Sequence, residues 1–303
     1  MDPNPRDGAH RPVLRASGVS DGELRRLRAA DALATVRPGV YLEPDDPRLS
    51  DPVEKHAVLT RTTVSKIAPD SVVSHVSAAV LHGLPLWQVA LGRVHVTRSR
   101  RTGGRISALL HVHASMLADE EVDSIDGVVV TSVARTIVDL ACTESFERAL
   151  VPADAALHRH MTSPELLQEQ LGRCANRSGI AGARRLVEFA DAGSMSPGET
   201  RSRLAISRAG LPPPVLQHPV AGTTSIVDFW WPGFRTVGEF DGMVKYGVPE
   251  AEGADVRDVV VAEKLREDRI RAMGMSVVRW VWDELPPHFA PVAARIRAAF
   301  DVG

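Results

Sequence analysis

Ser196-Pro197-Gly198-Glu199-Thr200-Arg201, then Ile226-Val227-Asp228-Phe229, then Gly238-Glu239-Phe240-Asp241-Gly242 are the stretches that decide how the C-terminal third of this chain folds. Residues 227–231 and 236–240 read as two short strands joined by the turn Pro232-Gly233, which places Asp228 and Glu239 near each other on paired strands. Carboxylates on strands that otherwise read as core are costly unless something cationic neutralises them. Glu239 and Asp241 are two positions apart and therefore share one face of their strand.

Outward from these acids the order is a helix over 197–209, strands over 215–220, 226–231 and 236–240, a helix over 254–273 and a strand over 276–282. That order predicts an α/β core with a central sheet. Phosphodiester cleavage requires a divalent ion that holds the scissile phosphate, offsets developing charge and lowers the pKa of bound water. Hard oxygen ligands suit such an ion, and magnesium keeps only one or two carboxylates. Asp228, Glu239 and Asp241 are the candidate ligands for Mg2+, and Glu199 is either an orienting or water-activating acid or the acid of a Ser-x-x-Glu capping box with Ser196. Lys245, four positions after Asp241, is either a phosphate-holding cation or a solvated loop lysine. In the charged helix that follows, Lys264, Arg266 and Arg271 either track a phosphate backbone or form i,i+4 ion pairs with Glu263 and Glu267. Trp280 and Trp282 alternate onto one face of the last strand, as core residues do.

The totals are those of a globular chain: 303 residues, 44% apolar and 24% charged, enough for two or three packed domains. No apolar run is long enough to span a bilayer and the N-terminus lacks the apolar region of a secretory signal, so no membrane is expected and the cytoplasm is the expected compartment. Cys142 and Cys174 form neither a disulfide framework nor a zinc spacing. A net charge of −2 excludes a globally basic nucleic-acid binder but conceals a local excess, six arginines between Arg11 and Arg37.

Three domains are expected: a winged helix over 1–50, a middle α/β domain over 51–192, and the acid-bearing domain over 193–303, with small turn-forming residues gathering near Gly193. Near the N-terminus, Ser20 caps a helix over 21–33, and an extended segment over 34–42 turns at Arg37-Pro38-Gly39; helix followed by hairpin is the second half of a winged helix. Arg25, Arg26, Arg28 and Arg37 would face one surface, either to meet DNA or as an ordinary solvated face. In the middle region, helices are predicted over 52–68, 72–83, 132–141 and 144–158, and strands over 93–98, 109–113 and 127–131. His75, His82, His95, His111 and His113 invite a metal hypothesis, but no Cys or acid completes a ligand spacing, and they read as structural residues.

Taken together, Ser-Pro-Gly-Glu-Thr-Arg with Ala209-Gly210-Leu211-Pro212, Val-Asp-Phe-Trp-Trp-Pro, Gly-Glu-Phe-Asp-Gly with Lys245-Tyr246-Gly247, and Arg266-Glu267-Asp268 through Gly274 to Val278-Arg279-Trp280 resemble an endonuclease-like domain of unknown function. That domain is related to the very-short-patch-repair endonucleases of the PD-(D/E)xK superfamily, and the resemblance covers about residues 194–290. It implies a restriction-endonuclease-like α/β core in which Asp228 is the metal-binding aspartate, Glu239 the acid of the second strand and Glu199 the acid of the first helix. The superfamily has lysine two residues after the second acid, where this chain has Asp241; Lys245 would supply the cation from a different position.

Gly18-Val19-Ser20, Leu24-Arg25-Arg26-Leu27, Arg37-Pro38-Gly39-Val40-Tyr41, Ser74-His75-Val76-Ser77-Ala78-Ala79 and His82-Gly83-Leu84-Pro85 resemble antitoxins of type IV toxin-antitoxin systems of the abortive-infection kind. That resemblance implies a promoter-binding winged helix and a cognate nucleotidyltransferase-like toxin. The expectation is therefore a DNA-interacting protein with a metal-dependent endonuclease domain, or a non-catalytic antitoxin and repressor that binds DNA through its winged helix.

Overall fold

Ser20 begins the first described helix because its Oγ accepts the Glu23 N–H and so satisfies one of the amides a helix start leaves open. The computed structural model describes residues 14–15, 20–37, 39–221, 223–242 and 256–302. In it β1 (Leu14–Arg15) precedes α1 (Asp21–Ala29), and β2 (Ala34–Arg37) and β3 (Val40–Leu42) follow. The three strands form an antiparallel sheet in the order β1-β3-β2. The helix stops at Ala29 rather than 33, with Asp31 in the left-handed region at φ 51°. Val40 and Leu42 are buried against Val58 of α2 (Pro52–Val64), which seats this small sheet on the rest of the chain.

The middle region is a six-stranded mixed sheet with helices beside it. Its elements in order are β4 (Ser71–Val73), α3 (His75–Leu81), β5 (Val94–Arg98), β6 (Arg105–Ile106), β7 (Leu110–Ala114), β8 (Val122–Ile125), β9 (Val128–Thr131), α4 (Val133–Thr143), α5 (Phe146–His158), α6 (Pro164–Arg173) and α7 (Ile180–Phe189). The strand order is β6-β7-β5-β4-β9-β8, with β5-β7 and β4-β9 parallel. The single helix expected over 72–83 is in fact a strand and then a helix. Val72 and Val73 are β-branched and pair with β5, Ser74 stays extended, and the helix starts only at His75. β8 is not announced by the sequence either, since the acids Asp119, Glu120 and Glu121 just before it resemble a surface loop. There Glu121, just before the strand, is buried because the Arg135 guanidinium donates to it at 2.8 Å.

The C-terminal elements are α8 (Pro197–Arg208), β10 (Val215–Pro219), β11 (Ile226–Trp231), β12 (Thr236–Asp241), α9 (Val256–Ala272), β13 (Ser276–Val281) and α10 (Ala290–Phe300). Their sheet runs β10-β11-β12-β13, antiparallel except for the β12-β13 pair, whose crossover is made by α9. On one face Phe229, Trp231, Phe240 and Trp280 pack with Ile206 of α8 and with Val292 and Ile296 of α10; a second cluster joins Val227 and Val237 to Ile270 of α9. Two glycines are set by close approach. A Cβ on Gly198 would lie 1.9 Å from the Phe240 ring, and one on Gly238 would lie 2.7 Å from Trp280. The β11-β12 connection is a 3-10 turn over Pro232–Phe234 with Arg235 left-handed, longer than the two-residue turn expected.

Helix α8 belongs to both regions. Leu204 joins the core of the middle helices, while the adjacent Ala205 and Ile206 join that of the C-terminal sheet. The side chain of Trp87 stacks on Trp282 at 5.3 Å, and the Arg201 guanidinium lies 4.0 Å from the Trp87 ring centre. The chain is thus a multi-domain α/β protein with separate sheets. Among the described residues no helix is long and apolar enough to cross a membrane.

Candidate carboxylate site

Asp228 sits where the β10-β11 ladder is interrupted. Leu216 pairs with Phe229 and His218 with Val227 in one register, but the intervening Gln217 has left-handed backbone at φ 47° and no ladder pairing with Asp228. Val227 and Phe229, two residues apart, accordingly pack into different cores. An uninterrupted strand would put them on one face. At this irregularity the Asp228 carboxylate accepts the Phe240 N–H at 2.8 Å, in place of a backbone partner.

Glu199 reaches the same place from the first turn of α8. One of its oxygens accepts from the Ser196 hydroxyl at 2.8 Å; the other accepts from the Met195 N–H at 3.0 Å and from the Gln217 amide at 2.9 Å. The capping half of Ser-x-x-Glu is present, the Ser196 hydroxyl accepting the Glu199 N–H at 3.2 Å, while the Glu199 side chain, standing beside Asp228, takes the Met195 N–H rather than that of Ser196. Burial, together with the negative charges of Glu199 and Asp241, pushes the Asp228 carboxyl up to about 6, against the pull of its hydrogen bonds from Phe240 and Gln217. Gln217, which the sequence did not single out, thus bonds to both acids.

Glu239 has a different setting. It is buried, and it receives Arg266 of α9 at 2.7 Å and Arg279 of β13 at 2.7 Å; Arg279 is its register partner on the parallel strand. Arg279 also lies 3.7 Å from Asp241 and 3.2 Å from Glu267. Among the described residues, neither Asp228, Glu239 and Asp241 nor Glu199, Asp228 and Asp241 bring ligand oxygens within 4.8 Å of one another. The donors around Asp228 are hard carboxylate oxygens, the kind that suits a hydrated magnesium ion held by one or two carboxylates. The charge of Glu239 is already matched by two guanidiniums. Lys245 lies outside the described residues.

The expected nucleic-acid contacts divide in the same way. Arg25, Arg26 and Arg28 are exposed along α1. Arg37 instead turns inward and donates to Thr63 of α2 at 2.7 Å. On α9, Lys264 is exposed, while Arg271 pairs with Glu267 at i,i+4.

No protein-family profile matches the chain. Over 180 residues it is 31% identical to the uncharacterized protein MT2308 of Mycobacterium tuberculosis (strain CDC 1551 / Oshkosh), and equally to the uncharacterized protein Rv2248 of Mycobacterium tuberculosis (strain ATCC 25618 / H37Rv). The matched stretch is 58% of this chain and 64% of each relative, slightly under two thirds of their length.

Proposed function

We propose that this is a cytoplasmic, DNA-interacting protein whose C-terminal domain hydrolyses phosphodiester bonds with Mg2+. The observation that carries this reading is a half-buried Asp228 whose carboxyl, by burial and by the negative charges of nearby Glu199 and Asp241, is pushed up to about 6. Crowded carboxylates of this kind are relieved by a divalent ion, which when bound would supply phosphate binding and an activated water. Asp228 and Asp241 would hold the ion. Glu199, fixed by Ser196, Met195 and Gln217, would orient the ligands or take a proton from water. Arg279, beside Asp241, places a guanidinium near the position where the superfamily carries lysine.

A second reading is favoured by one observation, the double pairing of Glu239 with Arg266 and Arg279. Here the nuclease-like domain is a platform without catalysis, and the protein is a type IV antitoxin and repressor. It binds its operon promoter through Arg25, Arg26 and Arg28 and opposes a cognate nucleotidyltransferase-like toxin.

Supercoiled and linear DNA incubated with Mg2+ or Mn2+ separates the two. Nicking by the wild type that disappears in Asp228→Ala supports hydrolysis. Salt-sensitive binding without cleavage by either protein rejects hydrolysis in favour of the repressor.

A further inference from the structure

Three of the histidines that the sequence scatters through the middle region meet in space. In the parallel β5-β7 pair His95 lies opposite His111 and Thr97 opposite His113, so these four side chains share one sheet face. The next strand, β4, feeds α3, and His75 at the start of that helix arrives over the same face. Its backbone is held at φ 52°, a conformation costly for a non-glycine residue. The His95 Nδ1 and His113 Nε2 atoms are 3.1 Å apart, and the His75 ring stacks on His113 with centres 3.6 Å apart. One ring nitrogen from each of His75, His95 and His113 lies within 4.8 Å of the others, and among the described residues no other group of three or more His, Cys, Asp or Glu closes this tightly.

A hydrogen bond between His95 and His113 would account for that pair alone. It leaves His75 unexplained: the residue is 1% exposed and, among the described residues, its Nε2 has no hydrogen-bond partner, which a buried polar atom ordinarily finds. The other ring nitrogen, Nδ1, is 2.9 Å from the Ser74 hydroxyl and 3.8 Å from Asp139 Oδ2, a carboxylate oxygen with no hydrogen-bond partner among the described residues. A hydroxyl and a carboxylate against Nδ1 favour the tautomer with the proton there, which leaves the Nε2 lone pair available as a ligand. This is the outer arrangement that orients a metal-binding imidazole. Zinc bound to nitrogen at 2.0–2.1 Å in tetrahedral geometry separates its ligands by about 3.4 Å, close to the spacing already present between His95 and His113.

We propose that His75, His95 and His113 form a three-histidine site for a borderline divalent transition ion, Zn2+ foremost, independent of the carboxylate site. His113 also borders a cavity of about 430 Å³ lined by His111, Arg105 and Arg177, which gives a fourth coordination position access to water or a small anion. Arg135 and Arg177 both bind Asp139, so its charge is matched and the ion is held by neutral nitrogen. Imidazole ligands select zinc-like ions over magnesium, which keeps the two sites chemically distinct.

The test uses the full chain without a polyhistidine tag, stripped by a chelator and titrated with Zn2+ alone or Co2+ alone. One equivalent of Zn2+ should bind to the wild type and to Asp228→Ala alike. His95→Gln and His113→Gln should weaken binding at least a hundredfold, and Ser74→Ala about ten- to a hundredfold. Should a histidine variant fail to fold, the wild type still decides the matter: Zn2+ must raise its Tm, a chelator must reverse the rise, and Co2+ must give the visible absorption of a tetrahedral nitrogen site. Binding of less than one equivalent, or equal affinity in folded histidine variants, overturns the proposal, as does a wild-type Tm unmoved by Zn2+.

Discussion

Asp154 on α5 and Arg203 on α8 meet as a buried ion pair, with the Arg203 Nη2 at 3.0 and 2.7 Å from the two carboxylate oxygens. The guanidinium also donates to the Phe189 carbonyl at 2.5 Å and to the Ser194 hydroxyl at 3.2 Å, and the Asp191 N–H donates to Asp154. Burial pushes the Asp154 carboxyl up and Arg203 opposes that push. Arg203→Ala strands the carboxylate, and unfolding by urea should show a loss of about 3–5 kcal/mol. The paired change Asp154→Leu with Arg203→Met should recover most of it, because two apolar groups leave no buried charge.

Asp228 predicts a pH dependence of opposite sign to a salt-bridged acid. Its folded-state value of about 6 lies above the ordinary 3.8, so the folded chain favours the protonated form. The stability it contributes is complete below about pH 4 and is lost as pH rises through about 6. Asp228→Asn keeps an acceptor for the Phe240 N–H and should be more stable than wild type by about 2 kcal/mol at pH 8, the difference closing by pH 4. Tryptophan fluorescence follows this well, since Trp230, Trp231, Trp280 and Trp282 all lie in the C-terminal region. Added Mg2+ should narrow the gap at pH 8 by stabilising only the wild type.

Gly198→Ala drives a methyl group into the Phe240 ring at a nominal 1.9 Å. Overpacking of this kind costs about 1–3 kcal/mol. Because Glu199 is the next residue, the variant should also lose part of the upward push on Asp228, visible as a shallower pH dependence than in wild type.

Arg25, Arg26 and Arg28 make a prediction that Arg37 does not share. Replacing the three exposed arginines by alanine should weaken DNA binding and reduce the slope of log affinity against log salt by about 0.9 per lost phosphate contact. Arg37→Ala should leave that slope unchanged and lower thermal stability, because its guanidinium is spent on Thr63.

How much of this was legible in the sequence depended on whether the governing contacts were local. The strands around Asp228 and Glu239 and the cap at Ser196 could be read within a residue or two, because alternation and Ser-x-x-Glu are short-range signals. The strand at Ser71–Val73 was absorbed into a helix because three residues cannot display a period, and only pairing with β5 fixes them. The register pair of Glu239 with Arg279 spans a parallel crossover through α9, so nothing nearby in the chain announces it. The three histidines carry no spacing motif in the sequence. Their convergence is made by sheet order and a helix start, neither of which has a fixed separation in sequence.

Helix α8 presents Glu199 to the acid cluster at one end and, within its next turns, sends Arg201 and Arg203 into the middle region. Cleaving the chain at residue 193 would therefore not release a self-sufficient module. The fragment would carry a guanidinium stripped of its counter-charge and a Leu204 stripped of its packing, on the very helix that aims the acid. Displacing α5 or the Trp87 loop would strip contacts from the same helix that carries Glu199, so the footing of that acid lies partly in a region that shares none of its chemistry.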